Sequence, residues 1–283
     1  MDTRHLVRTV RANGLDFACI EAGEGPLVLM LHGFPDSAWS FQPLLQPLAE
    51  KGFRACAVFM RGYAPSPLTR DYRMLRLGED AIALIESLGE ERAVLVGHDW
   101  GAVAAYVASG MAPERVSHLV TAAVPHLRRF FLRPTRRQLL RSRYMARFQL
   151  PGAVSRFATG DALDRLIREW SPDWAFTAAD LAPVREMLAD PQRAAALIGY
   201  YRHIPRSLSD PALWRFAMAP IKVPTTMIAG LNDGCIGPEM FADQEHLFTR
   251  GLRLQLFEDA GHFMHCERPQ RFANTLMEAA RTA

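Results

Sequence analysis

Three polar residues follow apolar runs in an order that could do chemistry: a carboxylate, a second carboxylate and an imidazole. The first is Asp99, centred in Gly97-His98-Asp99-Trp100-Gly101-Ala102. Before it stands the run Ala93-Val94-Leu95-Val96, and after it the small-residue stretch Val103-Ala104-Ala105-Tyr106-Val107-Ala108. A strand, a sharp turn and a helix in that order present the central side chain as a nucleophile, here Asp rather than Ser. Glycines are needed on both sides because the strained turn runs so close to the helix that larger side chains would collide. Taken alone, the motif also fits a Gly-rich turn whose Asp caps the helix. Asp233 changes that balance, since Gly230-Leu231-Asn232-Asp233 follows the apolar run Thr225–Ala229. So does His262, because Gly261-His262-Phe263 follows the alternating run Leu252–Phe257. In a parallel sheet those ends share one edge, where ligand sites form.

A fourth group, His32-Gly33-Phe34-Pro35, directly follows Leu27–Leu31. Its loop can supply the Phe34 backbone N–H to an oxyanion hole, with the Trp100 N–H as the second donor. Phe34-Pro35 is a candidate cis peptide, and His32 is expected to hold the loop by hydrogen bonds.

The elements that must position these groups are strands alternating with helical stretches, so the fold class is α/β with a mostly parallel central sheet and helices on both faces. The predicted strands are Leu6–Val10, Phe17–Glu21, Leu27–Leu31, Arg54–Phe59, Ala93–Val96, Val116–Ala123, Thr225–Ala229 and Leu252–Phe257, with Asn13-Gly14 as a hairpin turn between the first two. From His126 to about Trp214 the strand pattern stops, and amphipathic, arginine-rich stretches punctuated by proline take over. We expect a sheet domain in two pieces, residues 1–125 and 216–283, with a helical insertion over 126–215.

The 283 residues, 49% of them apolar and 22% charged, exclude a disordered chain. No run reaches the roughly 18 apolar residues of a membrane span. The N-terminus lacks a secretory apolar region, so a cytoplasmic protein is expected. Cys19, Cys56, Cys235 and Cys266 are too dispersed for a zinc or disulfide framework, which leaves buried free thiols. A net charge of +3 is too small to argue for nucleic acid. Its distribution is uneven, because Arg128, Arg129, Arg133, Arg136, Arg137, Arg141, Arg143 and Arg147 fall where no acidic residue occurs between Glu114 and Asp161. A solvated helical face is expected there.

Together, His32-Gly33-Phe34-Pro35, Gly97-His98-Asp99-Trp100-Gly101-Ala102, Asp233 and Gly261-His262 resemble the α/β-hydrolase superfamily, and within it the soluble epoxide hydrolases. The resemblance spans nearly the whole chain and makes the 126–215 insertion a helical cap. Arg61-Gly62-Tyr63-Ala64-Pro65-Ser66 is similar to a loop of that family, with one departure: Phe59 stands where the family usually has an Asp. Arg143-Tyr144-Met145-Ala146-Arg147-Phe148-Gln149-Leu150-Pro151-Gly152 and Gly199-Tyr200-Tyr201-Arg202 resemble its two tyrosine-bearing cap segments, which implies Tyr144 and Tyr201 as the ring-opening pair and Tyr200 as packing.

The resemblance implies an epoxide hydrolase needing no metal or organic cofactor. Asp99 would form an alkyl ester while Tyr144 and Tyr201 hydrogen-bond the departing oxygen. Water activated by His262, oriented by Asp233, would then hydrolyse the ester, with the Phe34 and Trp100 N–H groups holding the oxyanion. Phe34, Trp100, Tyr144, Tyr201 and Phe148 would contact a small hydrophobic epoxide. Phe130, Phe131, Met145, Leu150, Trp170, Trp174 and Phe176 make the insertion apolar enough to line such a pocket. Two alternatives stay open: a haloalkane dehalogenase with the same Asp nucleophile, for which Phe34 lacks a side-chain halide donor, and a noncatalytic ligand-binding member of the superfamily. Monomer and homodimer are both compatible with the sequence.

Overall fold

A computed structural model describes residues 7–282. Its strands are β1 (Val7–Ala12), β2 (Leu15–Ala22), β3 (Leu27–Leu31), β4 (Arg54–Val58), β5 (Ala93–His98), β6 (Val116–Ala122), β7 (Thr225–Gly230) and β8 (Leu252–Phe257). They form one sheet in the order β1-β2-β4-β3-β5-β6-β7-β8. β2 runs antiparallel to β1 and β4, and the pairs from β4 through β3 and β5 to β8 are parallel. Every predicted strand is present with small shifts at its ends, and Leu6, where the first was expected to begin, lies outside the described residues. The hairpin between β1 and β2 turns on Asn13 and Gly14, both at positive φ, 45° and 76°, as a tight two-residue turn requires.

β3, β5 and β7 are buried along their whole length, because apolar layers cover both faces of the sheet. Leu27, Leu29 and Leu31 enter one layer with helices Met74–Ser87 and Trp100–Met111, while Val28 and Met30 enter the other with Gln42–Ala49 and Pro269–Arg281. That division is the two-residue period of a strand read as two cores. β8 lies at the edge and stays partly exposed along most of its length, burying only Phe257 fully.

Between β6 and β7, adjacent parallel strands, the chain is helical and contains no strand among the described residues. Local signals punctuate it. Thr177 and Asp180 form a reciprocal cap at the start of helix Ala178–Ala189. Asp190 and Asp210 cap the helices that open on Pro191 and Pro211, where the missing N–H costs nothing. The Arg61 guanidinium meets Asp80 through two 2.6 Å contacts, both residues buried. This pair ties the loop after β4 to helix Met74–Ser87. Phe59 packs its ring on Trp39 at 5.3 Å, so the departure at that position is filled by apolar contact while Arg61 finds its carboxylate elsewhere. Among the described residues no helix is long and apolar enough to cross a membrane.

Candidate active site

Asp99 sits between β5 and helix Trp100–Met111 with φ 49° and ψ −116°. The turn is as crowded as its glycines imply. A Cβ on Gly97 would stand 2.2 Å from the Gly101 carbonyl oxygen, and one on Gly101 would stand 1.9 Å from that of Leu31. The loop after β3 presses on the same turn, where a Cβ on Gly33 would meet Asp99 Cβ at 2.4 Å. This close approach brings the Phe34 N–H to Asp99 Oδ1 at 2.7 Å. Trp100 is the first residue of its helix, where backbone N–H groups have no intrahelical acceptor. The Phe34-Pro35 peptide is cis. His32 Nε2 accepts from the Met60 N–H at 3.1 Å and its Nδ1 lies 3.0 Å from the Gly33 carbonyl, so the ring bridges two loops.

His262 and Asp233 arrive at the same edge from the ends of β8 and β7. His262 Nδ1 donates to Asp233 Oδ2 at 2.9 Å, and the other Asp233 oxygen accepts from the Cys235 and Ile236 N–H groups. His262 Nε2 lies 3.7 Å from Asp99 Oδ2 and makes no hydrogen bond. Burial works against charge on this imidazole, yet Asp233 and then Asp99 outweigh it and raise its pKa to about 10. It therefore carries a proton between two carboxylates at neutral pH. Trp170 packs on the ring at 4.9 Å, and its carbonyl accepts from the His262 and Gly234 N–H groups. Gly261 N–H donates to both Glu267 oxygens at 3.0 Å, which fixes the turn that carries His262.

Tyr144 and Tyr201 descend from helices Arg143–Phe148 and Pro191–Arg202, and their rings lie 5.5 Å apart. Tyr144 Oη is 3.5 Å from Cys235 Sγ, whereas the Tyr201 hydroxyl is buried without a partner. Burial pushes both phenols well above their ordinary pKa and keeps them protonated. Asp99, Trp100, Tyr144 and Tyr201 line one cavity, whose remaining walls include Phe130, Phe131, Met145, Leu127 and Ile236.

Phe34 and Phe148 do not wall this space. Their rings interlock 5.5 Å apart and pack against Tyr201 at 5.0 and 5.1 Å, which makes them backing for the tyrosine. Leu150 is exposed, and Trp174 stacks near Phe176 and Phe263 away from the cavity. Tyr200 donates its hydroxyl to the Arg61 carbonyl at 2.7 Å.

Sequence reasoning missed a buried polar cluster behind the site. Asp36 Oδ2 meets His265 Nε2 at 3.0 Å and Ser40 Oγ at 2.8 Å, and His98 Nδ1 at 4.0 Å, while His98 Nε2 lies 2.9 Å from the His262 carbonyl. Although burial opposes its charge, the His265 contact and the Ser37 N–H hold the Asp36 carboxyl below its ordinary value. Burial keeps His98 neutral. The available signal was an Asp beside the proline and a second His three residues after His262, neither informative without the fold. Cys235 was also missed as a neighbour of Tyr144. It is buried with Cys19 and Cys56, while Cys266 is only half-buried. Among the described residues three groups bring metal-ligating atoms within 4.8 Å: one, Cys19 with Glu21 and Cys56, lies on β2 and β4, and two lie at the site, Asp36 with His98 and His265, and Asp233 with Cys235 and His262. In each of the latter two, an imidazole–carboxylate hydrogen bond already occupies the carboxylate.

The α/β hydrolase fold family model matches residues 26–269. The chain is 29% identical to AB hydrolase superfamily protein YfhM of Bacillus subtilis, covering 95% of this chain and 96% of that one. It is 31% identical to Epoxide hydrolase A of Mycobacterium tuberculosis, covering 96% of each. Among solved structures it resembles epoxide hydrolase VrEH1 from Vigna radiata, with a TM-score of 0.82 and 26% identity over 98% of each chain.

Proposed function

Because the chain belongs to the α/β-hydrolase family, in its epoxide hydrolase branch, we propose that it converts an organic epoxide to a vicinal diol through a covalent ester on Asp99. The observation that carries this reading is the Tyr201 hydroxyl, buried and unpartnered beside Tyr144 on the cavity that Asp99 also lines. A phenol with no acceptor of its own is suited to donate to an oxygen that arrives with the substrate, and the alkoxide of an opening epoxide is such an oxygen.

The two Asp99 oxygens divide the work. Oδ2 attacks an epoxide carbon while Tyr144 and Tyr201 hydrogen-bond the departing oxygen and one of them protonates it. Oδ1, already facing the Phe34 N–H, becomes the ester carbonyl oxygen. Alkylation removes one of the two carboxylate charges that hold the His262 proton, so the imidazole gives that proton up to restore the tyrosine that protonated the alkoxide, and is left neutral to act as base. His262 then takes a proton from water, which attacks the ester carbonyl. Oδ1 develops the negative charge against the Phe34 and Trp100 N–H groups and the helix N-terminus. Asp233 steadies the imidazolium, the diol departs and Asp99 is regenerated. The segment 126–215 serves as the cap that supplies both tyrosines and excludes water.

Intact-mass measurement tests this scheme. His262→Gln is expected to trap protein heavier by the mass of one epoxide, and Asp99→Ala is expected to form neither adduct nor diol. Diol formation by Asp99→Ala at the wild-type rate would refute it. Halide release from simple bromoalkanes without diol formation from epoxides would assign the site to dehalogenation instead.

A further inference from the structure

The arginine-rich part of the helical block has an outer face whose composition a solvated surface does not account for. Arg128, Arg133, Arg136, Arg137, Arg143 and Arg147 are exposed and make no ion pair among the described residues. Arg141, by contrast, is paired with Glu239. Leucines are interspersed with them: Leu132, Leu139, Leu140 and Leu150 are 49%, 59%, 68% and 52% exposed. The helices fix this outward display. In Arg136–Arg141, Gln138 points inward and is held by the Cys235 carbonyl and the Gly237 N–H, which turns Arg136, Arg137, Leu139 and Leu140 outward. In Arg143–Phe148, Tyr144 and Phe148 are buried, leaving Arg143 and Arg147 outside.

Arginine alone is content in water, and an isolated exposed leucine is ordinary. Four leucines among six unpaired arginines form a mixed apolar and cationic face of the kind that sits at a bilayer interface. We propose that this face, from Arg128 to Leu150, docks on an anionic lipid surface, with the leucines at the acyl boundary and the arginines among the phosphates. A second copy of the chain is a poor occupant, because a two-fold interface would set arginines against arginines with no carboxylate between Glu114 and Asp161 to offset them. A groove at one end of the face, lined by Arg128, Arg129, Arg133 and His246 with Asp243 also on its wall, is suited to a phosphate headgroup. The inner side of the same segment carries Phe130, Phe131, Tyr144 and Met145, which wall the cavity. Docking would therefore hold the cavity wall beside an apolar reservoir, and on the reading above that reservoir holds apolar epoxides.

Co-sedimentation of the full chain with phosphatidylcholine vesicles, with and without phosphatidylglycerol, tests the proposal. Binding is expected to be at least about tenfold tighter to the anionic vesicles and to weaken steeply with salt, since each basic residue near such a surface contributes roughly a fivefold factor. Arg136→Glu combined with Arg137→Glu should reduce binding by about tenfold or more. Leu139→Ser combined with Leu140→Ser should weaken it as well, with turnover of a water-soluble epoxide unchanged in both variants as the control for folding. Equal binding to both vesicle types, or no loss on charge reversal, would overturn the proposal. So would light scattering that shows a dimer which the leucine substitutions dissociate. Vesicle binding is read without catalysis, so docking by a protein that opens no epoxide would fail the catalytic reading alone.

Discussion

His262 and Tyr201 each have a buried polar atom that the protein leaves free, His262 Nε2 and the Tyr201 hydroxyl. On the proposed mechanism, the consequence for Tyr201 is catalytic. Tyr201→Phe removes a donor that only a developing alkoxide would use, so stopped-flow alkylation should slow by about 10²–10³-fold with little change in substrate affinity. Tyr144→Phe is expected to slow the same step, and the double substitution to abolish it. Equal loss in the ester-hydrolysis step would remove the two tyrosines from ring opening. For His262 the consequence is thermodynamic. Its folded-state pKa of about 10 lies above the ordinary 6.5, so the native state binds the proton more tightly than the unfolded chain does. The stability this supplies is fully present below about pH 6.5 and is lost as pH rises towards 10. The urea midpoint of the wild type should therefore fall across that window more steeply than that of His262→Gln. Matching slopes would mean that the imidazole is not held charged between Asp99 and Asp233.

At the scale of elements, the elbow between β5 and helix Trp100–Met111 tolerates no side chain because its obstacles are backbone. The Leu31 carbonyl that a Cβ on Gly101 would strike cannot swing away without moving β3. Gly101→Ala should thus destabilise the fold by more than about 3 kcal/mol or displace Asp99, with loss of activity in either case. Gly89, at φ 87° with open space around its Cβ position, provides the contrast: Gly89→Ala should cost only about 1–2 kcal/mol and leave turnover intact. Similar midpoints for the two variants in chemical denaturation would show that contact at the elbow is not the constraint. This elbow was legible from the sequence, as were the strands, because each is a local pattern of apolar runs and glycines. The positions of Asp99, Asp233 and His262 were legible for the same reason, each following an apolar run that became a parallel strand. The cluster of Asp36, His98 and His265 was not, since its members come from three distant parts of the chain and are joined only by the closing of the sheet. Neither could sequence separate Phe130, Phe131 and Met145, which wall the cavity, from Phe148, which packs behind Tyr201. All are apolar residues on short helices, and the choice depends on which face each helix turns inward.

Over the whole molecule, a site whose reacting groups are almost fully buried must open for substrate to enter, and the fold indicates where. Helix Pro191–Arg202 is a long element with a continuous buried face, and it is fastened to the loop after β4 by Tyr200 on Arg61 and by Arg193 on the Gly62 and Ser66 carbonyls. The end of helix Ala162–Trp170 is fastened too, through the Trp170 carbonyl and through Ser171, which donates to Glu267 and accepts from the Phe263 N–H. The cavity wall carrying Phe130, Phe131, Tyr144 and Met145 is built differently. It consists of the six-residue helices Leu127–Leu132 and Arg143–Phe148, linked through Arg136–Arg141, each with few buried residues, and short helices depend on packing for their stability. Local opening follows the elements with the fewest buried contacts. Hydrogen exchange should consequently be faster for amides of 128–149 than for those of 163–171 and 192–202, and a diol or other bound ligand should slow it most in 128–149. If the 192–202 helix exchanged first, the route to Asp99 would pass beside Tyr201, and enlarging residues at 130, 131 or 145 would leave the entry of bulky epoxides unaffected. If 128–149 opens first, Phe131→Ala and Met145→Ala should raise kcat/KM for bulky epoxides more than for small ones.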